Sequence, residues 1–236
     1  MPESRITLDE AVATARTGDI WIFRGNTLAD RAIQTLTNSP VNHVGMTLVL
    51  DDLPPLVWHA EMGRTLPDLW TGTRHRGAQL HDLRDAVLVW CNRYGRRPRN
   101  GTPEPAPPHR YGQRAWLRQL DHQVPRDGED AALHTIARLS GTPFPSTSRL
   151  AGRWLTGRVR RHRARDAALE TAYCAEIVAV TYTAMGLLPA DRRPNWYDPG
   201  SFWSGDDLPL LGGARLGAEI AVDVPPGLPA GVPLPR

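Results

Sequence analysis

Short apolar runs separated by turn residues fill the first part of the chain and set the strongest limit on its fold. Five such runs, rich in aromatic and β-branched residues, follow one another: GDIWIFRG, VNHVGMTLVL, LVWHAEM, QLHDL and AVLVWCN. Runs of this composition are typical of buried strands. Because strands joined by short links pair as antiparallel neighbours, the pattern predicts an antiparallel sheet with segregated helices, an α+β fold.

The second half of the chain is predicted to carry helices and two irregular segments. Residues 92–130, rich in arginine, proline and glycine, are interpreted as an exposed insertion. AALHTIARLSG predicts a helix that ends at Gly141, and TAYCAEIVAVTYTAMGLLP predicts another that stops at Gly186. Residues 221–236 are proline-rich and predict an extended tail. We interpret residues 1–236 as one domain.

Composition places the chain among globular proteins. With 236 residues, of which 41% are apolar, it is long enough to bury a full core. Its net charge of +3 does not require an anionic partner. The N-terminal residues lack the apolar core of a secretory signal, and the longest apolar stretch, VGMTLVL, is far shorter than the roughly 20 residues that span a membrane. These features predict a cytoplasmic protein whose cysteines, Cys91 and Cys174, stay reduced.

The helix that contains Cys174 supplies a candidate nucleophile. If Thr171 caps this helix, Cys174 occupies the third helical position, where backbone N–H groups have no intrahelical partner. The positive end of the helix dipole favours the thiolate, and the same N–H groups can help to stabilise an oxyanion. The sequence therefore predicts Cys174 at a helix N-terminus, on the helix face that packs against the sheet.

Two histidines lie at matching positions of neighbouring predicted strands. Alternation places His43 and Gly45 on one face of VNHVGMTLVL, and His59 and Glu61 on one face of LVWHAEM. A hairpin centred near Asp51 sets His43 opposite His59, and a centre one residue later makes them diagonal neighbours on the same face. In either register the two imidazoles are predicted to stand side by side.

Together these residues predict a catalytic site. Nucleophilic catalysis needs a thiol, a base that takes its proton, and a polar group that orients the base. We predict Cys174 as the nucleophile, His43 as the general base and acid, and His59 as the orienting residue. Glu61, on the same face as His59, is an alternative for the third role. The prediction includes neither a cofactor nor a resident metal.

The same segments resemble a known family. GDIWIF, NHVGMTLVL, VWHAE and the late YCAEIVAVTYTAMGLLP occur in this order. They resemble the permuted branch of the NlpC-type papain-like cysteine hydrolases, which includes YiiX-type proteins and is related to lecithin:retinol acyltransferase. The resemblance covers the chain from about Gly18 to Trp203, with the insertion excluded. It implies a permuted papain-like fold, in which an antiparallel sheet packs against the nucleophile-bearing helix.

The resemblance also implies a function. In the family pattern Cys174 matches the nucleophile and His43 the base, while His59 matches a third polar position that is often a glutamate. Ala175 stands where the family usually has a serine. The implied activity is that of a thiol-dependent hydrolase or acyltransferase, which cleaves an amide or ester bond through a thioester intermediate.

Three other interpretations of these residues stay open. Cys174 can be a small core residue, a common role for free cysteine. Cys174, His43 and His59 can form a zinc site, although no tight ligand spacing such as C-x-x-C is present. The chain can also be a catalytically idle binding module that docks an anionic partner or lipid head groups through the segment Arg149–Arg165. The sequence does not favour nucleic acid as the partner, and it indicates neither the substrate nor the oligomeric state.

Overall fold

The computed structural model describes residues 4–25, 39–61, 64–93, 114–141, 162–204 and 208–232. Residues 149–161 of the arginine-rich segment lie outside these ranges, so the partner contact expected there stays a prediction.

A seven-stranded sheet forms the centre of the described part of the chain. Its strands are β1 (Arg5–Thr7), β2 (Ile20–Phe23), β3 (His43–Leu48), β4 (Leu56–Glu61), β5 (Gly77–Asp82), β6 (Ala115–Arg118) and β7 (Ile220–Asp223). They lie in the order β1-β7-β6-β2-β3-β4-β5. Every neighbouring pair is antiparallel except β1 and β7, which are parallel. The prediction of an α+β fold with a mostly antiparallel sheet is confirmed.

Four α-helices accompany the sheet within the described ranges: α1 (Leu8–Ala13), α2 (Leu83–Arg93), α3 (Arg126–Leu139) and α4 (His162–Ala184). Two short 3₁₀ helices, Pro194–Trp196 and Pro199–Phe202, follow α4. Helix α4 packs against β3 and β4, where the indole Nε1 of Trp58 donates a hydrogen bond to Oγ1 of Thr181 at 3.1 Å. None of the described helices combines the length and the apolar character needed to cross a bilayer.

The two faces of the sheet bury different apolar clusters. On the first face, Val44 and Trp58 pack with α4, and we call this the α4 face. On the second face, Phe23 and Val57 pack with α2, and we call this the α2 face. Because side chains alternate along a strand, neighbouring residues of one strand serve opposite faces. Each predicted site residue on a strand therefore belongs to one face only.

The two irregular segments predicted from composition both contain strands. The predicted insertion at 92–130 includes β6, which lies in the sheet between β7 and β2, and also the start of α3. The predicted tail at 221–236 begins inside β7. Composition alone did not reveal these strands, because β6 and β7 are only four residues long and show too little alternation beside polar neighbours.

The run AVLVWCN is helical, so its prediction as a strand is wrong. It belongs to α2, in which Leu83, Val87 and Trp90 recur at helical spacing and are buried in the cluster of the α2 face. A short run of apolar residues satisfies both the helical and the extended period, and only its partners in the fold decide between them.

Helix α4 begins earlier than predicted. It starts at His162, so Cys174 lies well inside the helix rather than in its first turn. The prediction of Cys174 at a helix N-terminus is therefore wrong. The preceding residues, HRARDAALE, are mostly strong helix formers and extend the helix toward its N-terminus. The predicted stop is confirmed, because α4 ends at Ala184 and Gly186 follows with a positive φ of 74°.

Candidate metal centre

Three buried histidines form a continuous row across β3, β4 and β5. Nε2 of His43 lies 3.0 Å from Nδ1 of His59, and Nε2 of His59 lies 2.9 Å from Nδ1 of His81. Neighbouring rings in the row meet edge to face. No more than 2% of any of the three residues is exposed. The row is therefore an internal polar chain that is removed from water.

Strand register explains why the three rings meet. Gly45 lies directly opposite His59, which makes His43 a diagonal neighbour of His59. On the other side of β4, Val57 lies opposite His81, so His81 is a diagonal neighbour of His59 as well. The second of the two registers predicted for His43 and His59 is confirmed, and β5 adds a third imidazole to the pair.

Aromatic side chains cover the His43 end of the row. The ring of His43 stacks on Trp90 of α2, with ring centroids 5.5 Å apart and planes 16° apart. Phe23 lies on another side, with its centroid 5.6 Å from that of His43. These contacts place the row on the α2 face. They hold the His43 ring in position and remove it from water.

Burial keeps the three imidazoles neutral. It lowers the pKa of His43 to about 3. Burial, followed by the neighbouring rings of His81 and His43, lowers the pKa of His59 well below its ordinary value. Burial also lowers the pKa of His81 to about 4, although the carboxylate of Asp68 acts in the opposite direction. At neutral pH each ring therefore carries one N–H and one free lone pair, the form in which histidine binds metals.

Glu61 joins His59 and His81 in a group of potential metal ligands. One ligand atom from each of the three buried residues lies within 4.8 Å of the other two, and Oε2 of Glu61 is 4.0 Å from Nδ1 of His81. Two histidines and one carboxylate form a known ligand set of catalytic zinc. Tetrahedral zinc holds two nitrogens about 3.3 Å apart, so the 2.9 Å between the ring nitrogens of His59 and His81 needs to widen only slightly.

Two buried polar atoms beside this group have no hydrogen-bond partner. They are Nε2 of His81 and Oε1 of Gln79. The amide of Gln79 is fixed by its other end, because Nε2 donates to the carbonyl oxygen of Glu61 at 3.2 Å. Unpartnered buried polar atoms are rare in native proteins. A metal ion bound at Nδ1 of His81 would leave its Nε2 as an N–H on the other side of the ring, so of the two atoms Oε1 of Gln79 is the one that a metal-bound water could reach. The donor set of two imidazole nitrogens and a carboxylate fits a metal ion.

The structure does not bring Cys174 to the histidines. Cys174 is fully buried in the apolar cluster of the α4 face, whereas His43 and His59 lie on the α2 face. The sheet separates the thiol from the imidazoles. Neither the predicted pair of Cys174 and His43 nor the alternative zinc site of Cys174, His43 and His59 is assembled. The predicted neighbourhood of His43 and His59 is present.

His81 is the site residue that sequence reasoning missed. Its signal is the alternation in QLHDL, which places Gln79 and His81 on one face of a strand. The link between β4 and β5 is too long for the register of the two strands to be counted from a turn, as it could be between β3 and β4. Glu61, predicted as an alternative to His59, instead lies in the same group as His59.

Comparisons with known proteins found only distant similarity. No protein family model matches the sequence, and no curated protein matches it. Among solved structures, the chain is similar to the metalloprotein YiiX from Escherichia coli O157:H7. The sequence identity is 16%, the TM-score is 0.41, and the match covers 75% of this chain and 68% of that chain.

Proposed function

We propose that the chain binds one zinc ion through His59, His81 and Glu61 and acts as a zinc-dependent hydrolase. One observation carries the proposal: three buried ligand atoms, two imidazole nitrogens and one carboxylate oxygen, lie within 4.8 Å of one another. Neutral imidazole and carboxylate are preferred zinc ligands. The low pKa values of His59 and His81 keep their lone pairs available at neutral pH.

The three ligands define what the site can do chemically. A zinc ion held by these three ligands would keep a fourth coordination position, where it would lower the pKa of a bound water to about 7 and so supply a nucleophile. If Nε2 of His59 held the metal, Nδ1 of His59 would carry the proton and donate a hydrogen bond to Nε2 of His43, which lies 3.0 Å away. Such a second hydrogen bond fixes the tautomer and orientation of a metal-binding histidine. The amide or ester bond expected from the sequence is a suitable target for this nucleophile.

Metal content tests the site. Protein purified from zinc-supplemented medium and dialysed should contain one zinc per chain by elemental analysis. Glu61→Gln and His81→Gln should each lose most of it, because each removes one of three ligands. His122→Gln, at an exposed position, is the matched control and should retain full occupancy. A wild-type protein that takes up no zinc, or variants that hold it equally well, would contradict the proposal.

Activity tests the chemistry separately. Hydrolysis of a 4-nitrophenyl ester should disappear when a chelator removes zinc and return when zinc is added back. Glu61→Gln should be inactive under all these conditions. Ester hydrolysis that persists at full rate in zinc-free protein would refute the zinc mechanism while leaving the metal site itself to the content measurement.

A second candidate function is favoured by the contact between His43 and His59. A base with its orienting partner 3.0 Å away is what a thiol hydrolase of permuted papain-like fold needs. This candidate requires the sulfur of Cys174 to reach the histidine row from the α4 face. Cys174→Ser separates the two functions: it should abolish a thiol-dependent activity and leave a zinc-dependent one intact. Cys91→Ser is the control, since burial raises the pKa of the Cys91 thiol to about 12 and leaves it unreactive.

A further inference from the structure

The loop between β4 and β5 presents an exposed apolar pair. We call residues 64–76 the Trp70 loop. Leu69 is 52% exposed and Trp70 is 46% exposed. Single exposed apolar residues are ordinary on protein surfaces. Two adjacent ones, one of them tryptophan, need an explanation when the backbone beneath them is held in place.

A buried carboxylate holds the loop in shape. Asp68 is fully buried, and its carboxylate accepts hydrogen bonds from the backbone N–H of Leu80 at 2.8 Å and of Thr71 at 3.1 Å. It also accepts one from the hydroxyl of Ser140, at the end of α3, at 3.1 Å. Burial alone would raise the pKa of Asp68, but hydrogen bonds from the backbone of Leu80, the hydroxyl of Thr71, the ring of His75 and the backbone of Thr71 outweigh it and lower the pKa. The apolar pair is therefore displayed by a rigid turn.

The exposed charges of the loop have one sign. Arg64, Arg74 and Arg76 are exposed, whereas the acidic residue of the loop, Asp68, is buried. Arg74 donates to the carbonyl oxygen of Thr65 and so stays beside the stem of the turn. The surface of the Trp70 loop thus combines an apolar tip with a cationic stem.

We propose that the Trp70 loop docks the protein onto an anionic lipid surface. Tryptophan and leucine favour the boundary between lipid head groups and acyl chains, and arginine favours anionic head groups. Two exposed apolar side chains are far too few for a stable protein interface, which buries about 800 Å² per partner. They are enough to insert shallowly among lipid head groups, where attraction between arginine and anionic lipids adds to the binding. The proposal is independent of the zinc site.

Vesicle sedimentation tests the proposal. Wild-type protein should sediment with phosphatidylcholine vesicles that contain about 30% phosphatidylglycerol and remain in solution with pure phosphatidylcholine. Replacing Leu69 and Trp70 by serine should weaken binding roughly tenfold. Arg64→Gln combined with Arg76→Gln should weaken it roughly 25-fold, because each arginine near an anionic leaflet contributes about fivefold.

Matched variants and a second ligand keep the outcome decisive. Trp196→Ser removes a tryptophan that is 59% exposed elsewhere, and Arg5→Gln with Arg126→Gln removes two exposed charges away from the Trp70 loop. Arg5 lies on β1, at the opposite edge of the sheet from β5, and Arg126 lies at the start of α3, far from the end that contacts the loop. Both controls should bind vesicles as the wild type does, and circular dichroism should show every variant folded. Equal loss of binding in the controls overturns the proposal. So does binding to single-stranded nucleic acid without binding to vesicles, or binding to neutral vesicles as strong as to anionic ones.

Discussion

Replacing Gly45 by alanine tests how tightly β3 and β4 pack beneath the histidine row. A Cβ at this position would lie 2.8 Å from Cγ2 of Val57, 3.2 Å from Cβ of His59 and 3.4 Å from the carbonyl oxygen of Trp58. Carbon atoms pack best at about 3.5–4.0 Å, so the first two contacts are repulsive. Val57 is buried and β-branched, and its side chain cannot rotate away at low cost. The strands themselves must therefore move apart.

The structure sets the size of the effect. Overpacking of a buried site costs about 1–3 kcal/mol, so we expect the free energy of unfolding of Gly45→Ala to fall by about that amount. The same shift moves His59 relative to His81 and Glu61. Because functional geometry tolerates displacements of only about 0.5 Å, the affinity for zinc should fall roughly tenfold.

Two measurements and two further variants decide the outcome. Urea unfolding followed by circular dichroism measures the stability of the metal-free protein, and competition with a chromophoric chelator measures zinc affinity. Gly217→Ala is the matched control, since a Cβ there meets only the carbonyl oxygen of Gln119 at 3.4 Å. Adding Val57→Ala to Gly45→Ala removes the closest contact and should restore part of the zinc affinity. A Gly45→Ala protein with the stability and zinc affinity of Gly217→Ala would refute this account of the packing.

Three other perturbations probe different parts of the fold. Burial raises the pKa of Asp19 to about 6, against the hydrogen bonds from the backbone of Leu120 and Arg16, so the folded state holds this proton more tightly than the unfolded state. As the pH rises from roughly 4 to 7.5, the free energy of unfolding of the wild type should therefore fall by about 3 kcal/mol relative to that of Asp19→Asn. If urea unfolding gives the two proteins parallel profiles of stability against pH, the expectation is contradicted. Zinc at a concentration a hundredfold above its Kd should stabilise the folded protein by about 3 kcal/mol, so removing it should lower the melting temperature by roughly 5–10 °C. An unchanged melting temperature would count against the site. Thr181→Val leaves the buried indole N–H of Trp58 unpaired and should cost about 1–3 kcal/mol in urea unfolding, and a cost under about 0.5 kcal/mol would contradict the bond at 3.1 Å.

The pairing of β3 with β4 could be predicted because both the alternation and the link are short-range features. His43 and Gly45, and His59 and Glu61, alternate with apolar residues, and a turn near Asp51 leaves only neighbouring registers open. Both registers place the imidazoles on one face, so the contact between them did not depend on choosing correctly. The contribution of β5 to the site could not be predicted in the same way, because the register of β5 is fixed only by its pairing along the whole of β4.

The sequence did not predict which helix covers which face of the sheet. Val44 and Met46 alternate with His43 and Gly45, so one strand offers an apolar row to one helix and a polar row to another. The apolar row suits α4, whose buried residues include Ile177 and Val178, and Cys174 shares that cluster. Nothing in the sequence of the strands alone says which late segment covers which row.

The wrong prediction of AVLVWCN as a strand, where the structure has a helix, had a larger effect on the interpretation of the site than the missed register of β5. Once it is a helix, α2 covers the row that contains His43, and Trp90 stacks on the His43 ring. That cover desolvates the imidazoles, and desolvation is the main cause of their low pKa values. A neutral, buried row beside a carboxylate is suited to hold a metal ion, whereas the same row open to water would be partly protonated near its ordinary pKa of about 6.5. The chemistry assigned to these histidines thus depends on the segment that follows β5, and on its period rather than on any motif.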